Sequence, residues 1–192
     1  VDYNFLKPEK IFNHHYAYLS SVSSSWVEHS RKYAEMIIKK LKLNKKSFVV
    51  EVASNDGYLL KNFVSKKISC LGVEPALSGA KIARKKKINV LNDFFNISTS
   101  KKIAKKKQAD LIIANNVYAH VPDINDFTRS LKILLKKNGT ITIEFPHILE
   151  LIKNNQFDTI YHEHFFYFSI KTVSKIFKKH RLKIYDVETI NT

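Results

Sequence analysis

VVEVASNDGYLL, residues 49–60, is the stretch that decides the fold. Read from Ser47 as SFVVEVAS, its first half is a short apolar run of β-branched residues, the pattern of a strand buried on both faces. The second half is a polar turn carrying Gly57, and GYLLKNFVSK, from Gly57 onward, reads as a helix. The same alternation repeats downstream. ISCLGVEP (68–75), INVLND (88–93), ADLIIANNV (109–117) and GTITIEFP (139–146) read as strands, and LKIYDVETI (182–190) as a sixth. ALSGAKIARKK (76–86), INDFTRSLKILLKK (124–137) and IKTVSKIFKKH (170–180) read as helices. Upstream, SSSWVEHSRKYAEMIIKKLKL is a helix with a serine cap before Glu28 and with Trp26, Tyr33, Met36, Ile37 and Leu41 at helical spacing. Repeated βα units of this kind predict an α/β fold, a mostly parallel sheet with helices on both faces. Its ligands belong beyond the carboxyl ends of the strands, where the strand order reverses.

The 192 residues suit a single domain, 1–192, with an N-terminal flap and helix over 1–45 and an α/β core over 46–192. A hydrophobic content of 44%, with 13 Phe and 9 Tyr, argues against disorder. No apolar run approaches the roughly 18 residues of a membrane span, and VDYNFLKPEKIF carries charges where a signal peptide needs an apolar core. No initiator Met is present, so a piece of a longer chain is expected. Cys70 is the single cysteine, which excludes an internal disulfide and a multi-cysteine metal cluster within these residues. A cytoplasmic setting is the expectation. The 33 Lys+Arg against 17 Asp+Glu give a formal charge of +16, which invites a nucleic-acid reading. The lysines are nevertheless spread through the chain, mostly at the ends of helix-like segments, as in IARKKKINV and KIFKKHRLKI. Solvated helix faces explain them, and neither nucleic acid nor membrane is expected as a partner.

Four predicted strand ends are polar or acidic: ASNDG, VEPA, LNDFF and ANNVYAH. Neither a G-x-G-x-x-G fingerprint nor a phosphate-binding P-loop is present, and four glycines in all argue against a cradle of backbone amides. The acidic ends suit a ligand that brings positive charge and hydroxyl groups. Glu74 is placed to accept from ribose hydroxyls, with Pro75 stopping the strand where a ligand would lie. Asp93 offers an acceptor for an adenine amine and Phe94 a ring face, while Asn115 and Asn116 close the fourth strand. For Glu51 and Asp56 a helix N-cap or an ion pair is the competing explanation.

Together these features look like the S-adenosylmethionine (SAM) methyltransferase fold. More narrowly, the chain resembles the sugar C-methyltransferase family, which methylates nucleotide-linked ketosugars. YAYLSSVSSSWVEH, VVEVASNDGYLL, GVEPA, ANNVYAHVPDINDF, GTITIEFPH and NQFDTIYHEHFFYFS carry the resemblance across almost the whole length. It implies a Rossmann-like class I SAM-dependent methyltransferase fold, expected to lack its last, antiparallel strand, with S-adenosylhomocysteine as product. By the same resemblance Glu51, Asn55, Asp56 and Gly57 line the methionine part of SAM, Glu74 and Pro75 the ribose, and Asp93 and Phe94 the adenine. Asn115 and Asn116 form the floor near the sulfonium, and Tyr16 and Tyr18 belong to a flap over the cofactor. The substrate implied is a nucleotide-linked 4-ketosugar. Two departures stand out. The family's cysteine-rich N-terminal zinc domain has no counterpart here, so no metal is expected in this chain, and a further C-terminal region would follow VETINT.

FDTIYHEHFFYF, residues 157–168, has three readings. In an extended strand His162 and His164 share a face, but a metal would need a further ligand and methyl transfer from a sulfonium needs no metal. A core strand accommodates FFYF but buries three titratable groups side by side. A catalytic cluster fits carbon methylation, which needs a base to form an enolate and a donor to hold its oxyanion. In that reading His164 is the base, Glu163 orients it, and Tyr161 and His120 face the oxyanion. His14, His15, His29, His147 and His180 are expected to be structural, His147 least firmly. Methylation of oxygen or nitrogen, a nucleic-acid methyltransferase, and a non-catalytic SAM-binding module remain open alternatives.

Overall fold

The computed structural model describes residues 18–161 and 163–190. His14, His15, Tyr16 and His162, each read above, lie outside the described residues. Five strands form one sheet in the order β3-β2-β1-β4-β5, and every pairing is parallel. They are β1 (Phe48–Val52), β2 (Ser69–Val73), β3 (Val90–Leu91), β4 (Ala109–Ile113) and β5 (Leu135–Thr142). The helices are α1 (Ser24–Lys40), α2 (Leu60–Ser65), α3 (Leu77–Lys85), α4 (Ile97–Ala104), α5 (Ile124–Leu134), α6 (Ile148–Lys153) and α7 (Ile170–Lys179). The chain runs outward from β1 through β2 to β3, then returns to the other side of β1 with β4. That reversal opens a crevice between the carboxyl ends of β1 and β4.

Side-chain alternation sends each central strand into two cores. Val50, Val52 and Ile112 pack on one face with Tyr118, Phe127, Leu131 and Val173. Val49, Leu111 and Ile113 pack on the other with Ala34, Ile37, Leu60, Phe63 and Ala83. All five residues of β1 are buried, so Glu51, which shares a face with Val49, is directed into the second core beneath α1.

The helix ends account for much of the lysine. Lys42, Lys67, Lys87 and Arg181 have left-handed backbones (φ 52°, 58°, 61° and 57°) just beyond α1, α2, α3 and α7. In each case the next residue is apolar and its amide reaches back five residues along the chain. Leu43 donates to Ile38, Ile68 to Phe63, Ile88 to Ala83 and Leu182 to Phe177, at 2.9–3.1 Å. This is the closure at which glycine is usual; here the chain uses a cation, which also faces the negative end of the helix dipole.

Several expectations need correction. Helix α4 was not anticipated, because Ile97 and Ile103 stand among lysines and give little periodicity; Asn96 caps it by accepting from Thr99 N at 3.0 Å. Strand β5 starts at Leu135 rather than Gly139 and ends at Thr142, directly continuing α5. A register shift separates the pairs Ala109–Leu135 and Leu111–Thr140. At that shift a side chain on Gly139 would lie 2.8 Å from the Ala109 carbonyl oxygen. Helix α6 was likewise unforeseen. In place of a strand, the described residues of 157–168 begin with a short 3-10 turn (Phe157–Thr159) and end in a single bridge between Phe168 and His147.

The sixth strand over 182–190 does not form. Side chains hold this segment instead: Tyr185 meets Thr140 Oγ1 at 2.9 Å, and Lys40 pairs with Asp186 and, at 2.8 Å, with Glu188. A strand needs a backbone edge to pair with, and the contacts with β5 run through side chains alone. Gly139→Ala is expected to destabilise the fold by about 1–3 kcal/mol, since backbone lies in the way and cannot yield as a side chain would. Urea unfolding should show a lower midpoint at unchanged slope.

Candidate functional site

The crevice is built around the turn after β1. Ala53, Asn55 and Gly57 all have positive φ (56°, 48° and 76°), and a side chain on Gly57 would strike Ile88 Cδ1 at 2.3 Å. Glu74, at the end of β2, ties this turn to its own strand. One carboxylate oxygen accepts from Asn55 N at 2.8 Å and the other from Ala76 N at 2.7 Å. Asn92 Nδ2 donates to the Glu74 and Pro75 carbonyls at 2.7 and 2.8 Å, holding the strand exit. The segment around Tyr18–Val22 straps across the turn. Ser20 N donates to Asn55 Oδ1 at 3.0 Å, Asn55 Nδ2 to the Tyr18 carbonyl at 3.0 Å, and Ser21 Oγ to Asp56. Tyr18 thus meets the turn through its carbonyl, and the residue as a whole is 57% exposed.

Four buried polar atoms have no partner among the described residues: Glu51 Oε2, Ser54 Oγ, Asp56 Oδ1 and Asn115 Oδ1. All lie at or just beyond the carboxyl ends of β1 and β4, where buried polar groups would normally be paired. Glu51 is 3% exposed and Asp56 0%. Burial, then Glu74 and Asp56, push the Glu51 carboxyl well above the usual range. Burial raises Glu74 as well, opposed by its bonds from Ala76 and Asn55. Acceptors orphaned in this way fit a ligand with an ammonium and hydroxyl donors, which SAM supplies. Asp93 and Phe94 lie beyond β3; Asp93 is exposed and accepts from Phe94 N at 2.8 Å and from Thr99 Oγ1 at 3.1 Å. Asn116, left-handed at φ 54°, donates its amide to the Glu144 carbonyl at 2.8 Å.

A second cluster gathers from two segments. The turn Tyr118–His120 and the loop at 161–167 are joined by Phe165 N donating to the Ala119 carbonyl at 2.9 Å. His164, 7% exposed, puts Nδ1 at 2.8 Å from the Thr159 carbonyl and Nε2 at 3.1 Å from the Tyr161 hydroxyl. A carbonyl only accepts, so Nδ1 carries the proton and Nε2 the lone pair. His120 repeats the arrangement, with Nδ1 at 3.0 Å from the Glu163 carbonyl, and its ring lies 4.6 Å from that of His164. Two expected roles change. The Thr159 carbonyl, rather than the Glu163 carboxylate, orients His164, and Glu163 serves His120 through its backbone. His120 likewise directs Nδ1 to a carbonyl, so its proton sits on that nitrogen. Tyr161 is the hydroxyl donor of the cluster; partial burial, then Glu163, raises its pKa and keeps it protonated.

Other histidines have structural work. His147 Nε2 accepts from Ile170 N at 3.3 Å at the start of α7, and His180 Nε2 meets Asn125 Oδ1 at 3.1 Å. His29, read as structural, proves to pair with Glu144 at 3.2 Å beneath a stacked Trp26. Only the polar ending of TITIEFPH hinted at that pair. Sequence reading also passed over Asn92 and Lys86, whose roles depend on contacts 17 to 30 residues apart. Among the described residues no three His, Cys, Asp or Glu side chains gather at a metal-binding distance, and no helix is long and apolar enough to cross a membrane.

Comparison with known proteins adds three findings. Residues 26–187 match the model of a methyltransferase domain family. Over 185 residues the chain is 34% identical to the C-methyltransferase NovU of Streptomyces niveus, covering 96% of this chain and 44% of that protein. The chain therefore spans less than half the length of this curated relative. Among solved structures, a SAM-dependent methyltransferase from Archaeoglobus fulgidus aligns with a TM-score of 0.64 at 18% identity, over 80% of this chain and 68% of that one. The YcgJ protein of Bacillus subtilis aligns at 0.61 and 15% identity, over the same shares of the two chains. At such identities the two structures speak for the fold alone.

Burial, then the nearby His164, push the His120 pKa down to about 4, against the opposing Glu163 carbonyl. An unfolded chain takes up that proton near pH 6.5, so between about 4 and 6.5 the unfolded state binds more protons. Stability should fall as pH drops through this window, with His120 contributing on the order of 2–3 kcal/mol. Denaturation of wild type and His120→Asn at pH 7 and pH 4 should show the smaller loss in the variant.

Proposed function

The chain belongs to the methyltransferase domain family, and as a SAM-dependent methyltransferase we propose that it methylates a carbon of a nucleotide-linked 4-ketosugar. The observation that carries the proposal is a pair of imidazoles beside a tyrosine hydroxyl, both anchored at Nδ1 on backbone carbonyls, with His164 Nε2 turned to the Tyr161 hydroxyl. Transfer to oxygen can proceed from a hydroxyl already nucleophilic; transfer to carbon needs a C–H proton removed first, and this cluster is built of bases. The 34% identity to a C-methyltransferase points the same way.

In this reading Glu51, Ser54, Asp56 and Asn115 offer their unpaired acceptors to the donors of SAM, with Glu74 and Pro75 beside its ribose. Tyr16, outside the described residues, and Tyr18 belong to the covering flap, and Asp93 and Phe94 receive the adenine. When bound, SAM supplies an electrophilic methyl group. His164 takes the proton from the carbon next to the ketone. Its Nε2 becomes available as the Tyr161 hydroxyl turns to the ketone oxygen, where it stabilises the developing oxyanion. His120, held neutral, accepts from a substrate hydroxyl and keeps a second positive charge away from the imidazolium that forms. Residues of a longer protein would supply the nucleotide contacts.

Two predictions follow the two halves of the site. Glu74→Ala should weaken SAM binding at least tenfold, since loss of a charge-assisted bond costs on the order of 1.5–3 kcal/mol; equal affinities by calorimetry would remove Glu74 from the cofactor site. In heavy water with a panel of ketosugar nucleotides, wild-type enzyme should exchange the α-proton, and His164→Ala should lose both exchange and methylation by about 10²–10⁴-fold while still binding SAM. Tyr161→Phe should fall less. Methylation without any α-proton exchange, with the product methylated at oxygen, would overturn the carbon assignment.

A further inference from the structure

Asp56 is fully buried, yet its two carboxylate oxygens are treated differently. Oδ2 receives Ser21 Oγ and the Lys86 ammonium, the latter at 3.2 Å, while Oδ1 has no partner. Lys86 also donates to the Asp56 backbone carbonyl at 2.9 Å, so its ammonium grips both the main chain and the side chain of one residue. It reaches there from the C-cap of α3, with about two thirds of its side chain shielded from water (34% exposed). Other lysines at helix ends reach solvent or surface partners such as Asp186; this one turns inward to the crevice turn.

A carboxylate removed from water needs a counter-charge or it takes up a proton. The nearby acidic groups at the strand ends are the Glu51 and Glu74 carboxyls. Lys86 is the cation in contact with it among the described residues. By saturating Oδ2 and the carbonyl, Lys86 also fixes the carboxylate rotation that leaves Oδ1 facing away with an empty acceptor site.

We propose that Lys86 is a positioning residue for cofactor binding, holding the Asp56 carboxylate rotated so that Oδ1 is presented to the cationic amino-acid end of SAM. The inference rests on the cofactor assignment above and concerns a residue outside the β1 turn. Lys86 touches no ligand itself. A lysine that merely capped α3 would affect folding but would not act on SAM through Asp56.

The test is a double-mutant cycle on SAM affinity by calorimetry, with circular dichroism and urea midpoints for every variant. Lys86→Met should lower affinity roughly tenfold, the scale of one charge-assisted hydrogen bond. Lys86→Arg, which keeps the charge, should restore most of it. On an Asp56→Asn background, where no carboxylate needs holding, Lys86→Met should lower affinity by less than about twofold. Equal losses from Lys86→Met on both backgrounds, or unchanged affinity in the single variant, would overturn the proposal. Should Lys86→Met unfold, the Arg variant and the urea midpoints on the Asn background still decide it, since a structural cap would destabilise both backgrounds alike. If wild type binds no SAM at all, the cofactor assignment fails first and is recognised as a separate failure.

Discussion

The carboxylate of Glu74 is the constraint on which the crevice depends. It accepts one amide from the turn after β1 and one from its own strand exit, locking two neighbouring strand ends into a fixed relation. At 4% exposure these bonds form where water competes poorly. The left-handed residues of the β1 turn persist because such bonds over-determine them. Without that anchor Asn55 would lose its amide partner, and the contacts it makes to Ser20 and Tyr18 would lose their reference point.

Around that anchor the protein concentrates negative charge and acceptors at one end of the sheet, in a chain whose net charge is +16. Burial, then the neighbouring Glu74 and Asp56 carboxyls, raise the proton affinity of Glu51, and burial raises that of Glu74. Local polarity is therefore opposite to that of the molecule as a whole. The histidine cluster follows a different logic. There the backbone carbonyls of Thr159 and Glu163 choose the tautomer of each ring, so the chemistry of the pair depends on loop geometry and not on a charged neighbour.

How much of this could be read beforehand divides along the range of the interactions. The strands over 48–52, 69–73 and 109–113 were legible because local β-branched runs and the turn at Gly57 encode them directly. The polar character of the strand ends was legible for the same reason, since those turns follow directly on the strands. Helix α4 was not, since its apolar residues are too few for periodicity. The early start of β5 was not either, because it depends on a register shift against Ala109 that only the paired strand reveals. Residues 182–190 alternate like a strand, yet strand formation depends on a neighbouring edge, which no local pattern contains. The partners of His164 and Asp56 were hidden for another reason: a main-chain carbonyl and a distant lysine leave no mark on residue type.

The three lysines and one arginine that close four helices carry a consequence for how the protein tolerates its surroundings. Each holds a backbone conformation that glycine would adopt with no steric strain and that a side chain makes unfavourable by roughly 1 kcal/mol. Each is offset in part by attraction to the exposed carbonyls at the helix end, which salt screens within a Debye length of about 8–10 Å. The strain is steric and does not screen. As ionic strength rises, Lys42, Lys67, Lys87 and Arg181 therefore keep their burden and lose their compensation. The molecule should be tuned to dilute electrolyte at its helix ends, with Leu43, Ile68, Ile88 and Leu182 acting as the apolar latches that remain when the charges no longer help.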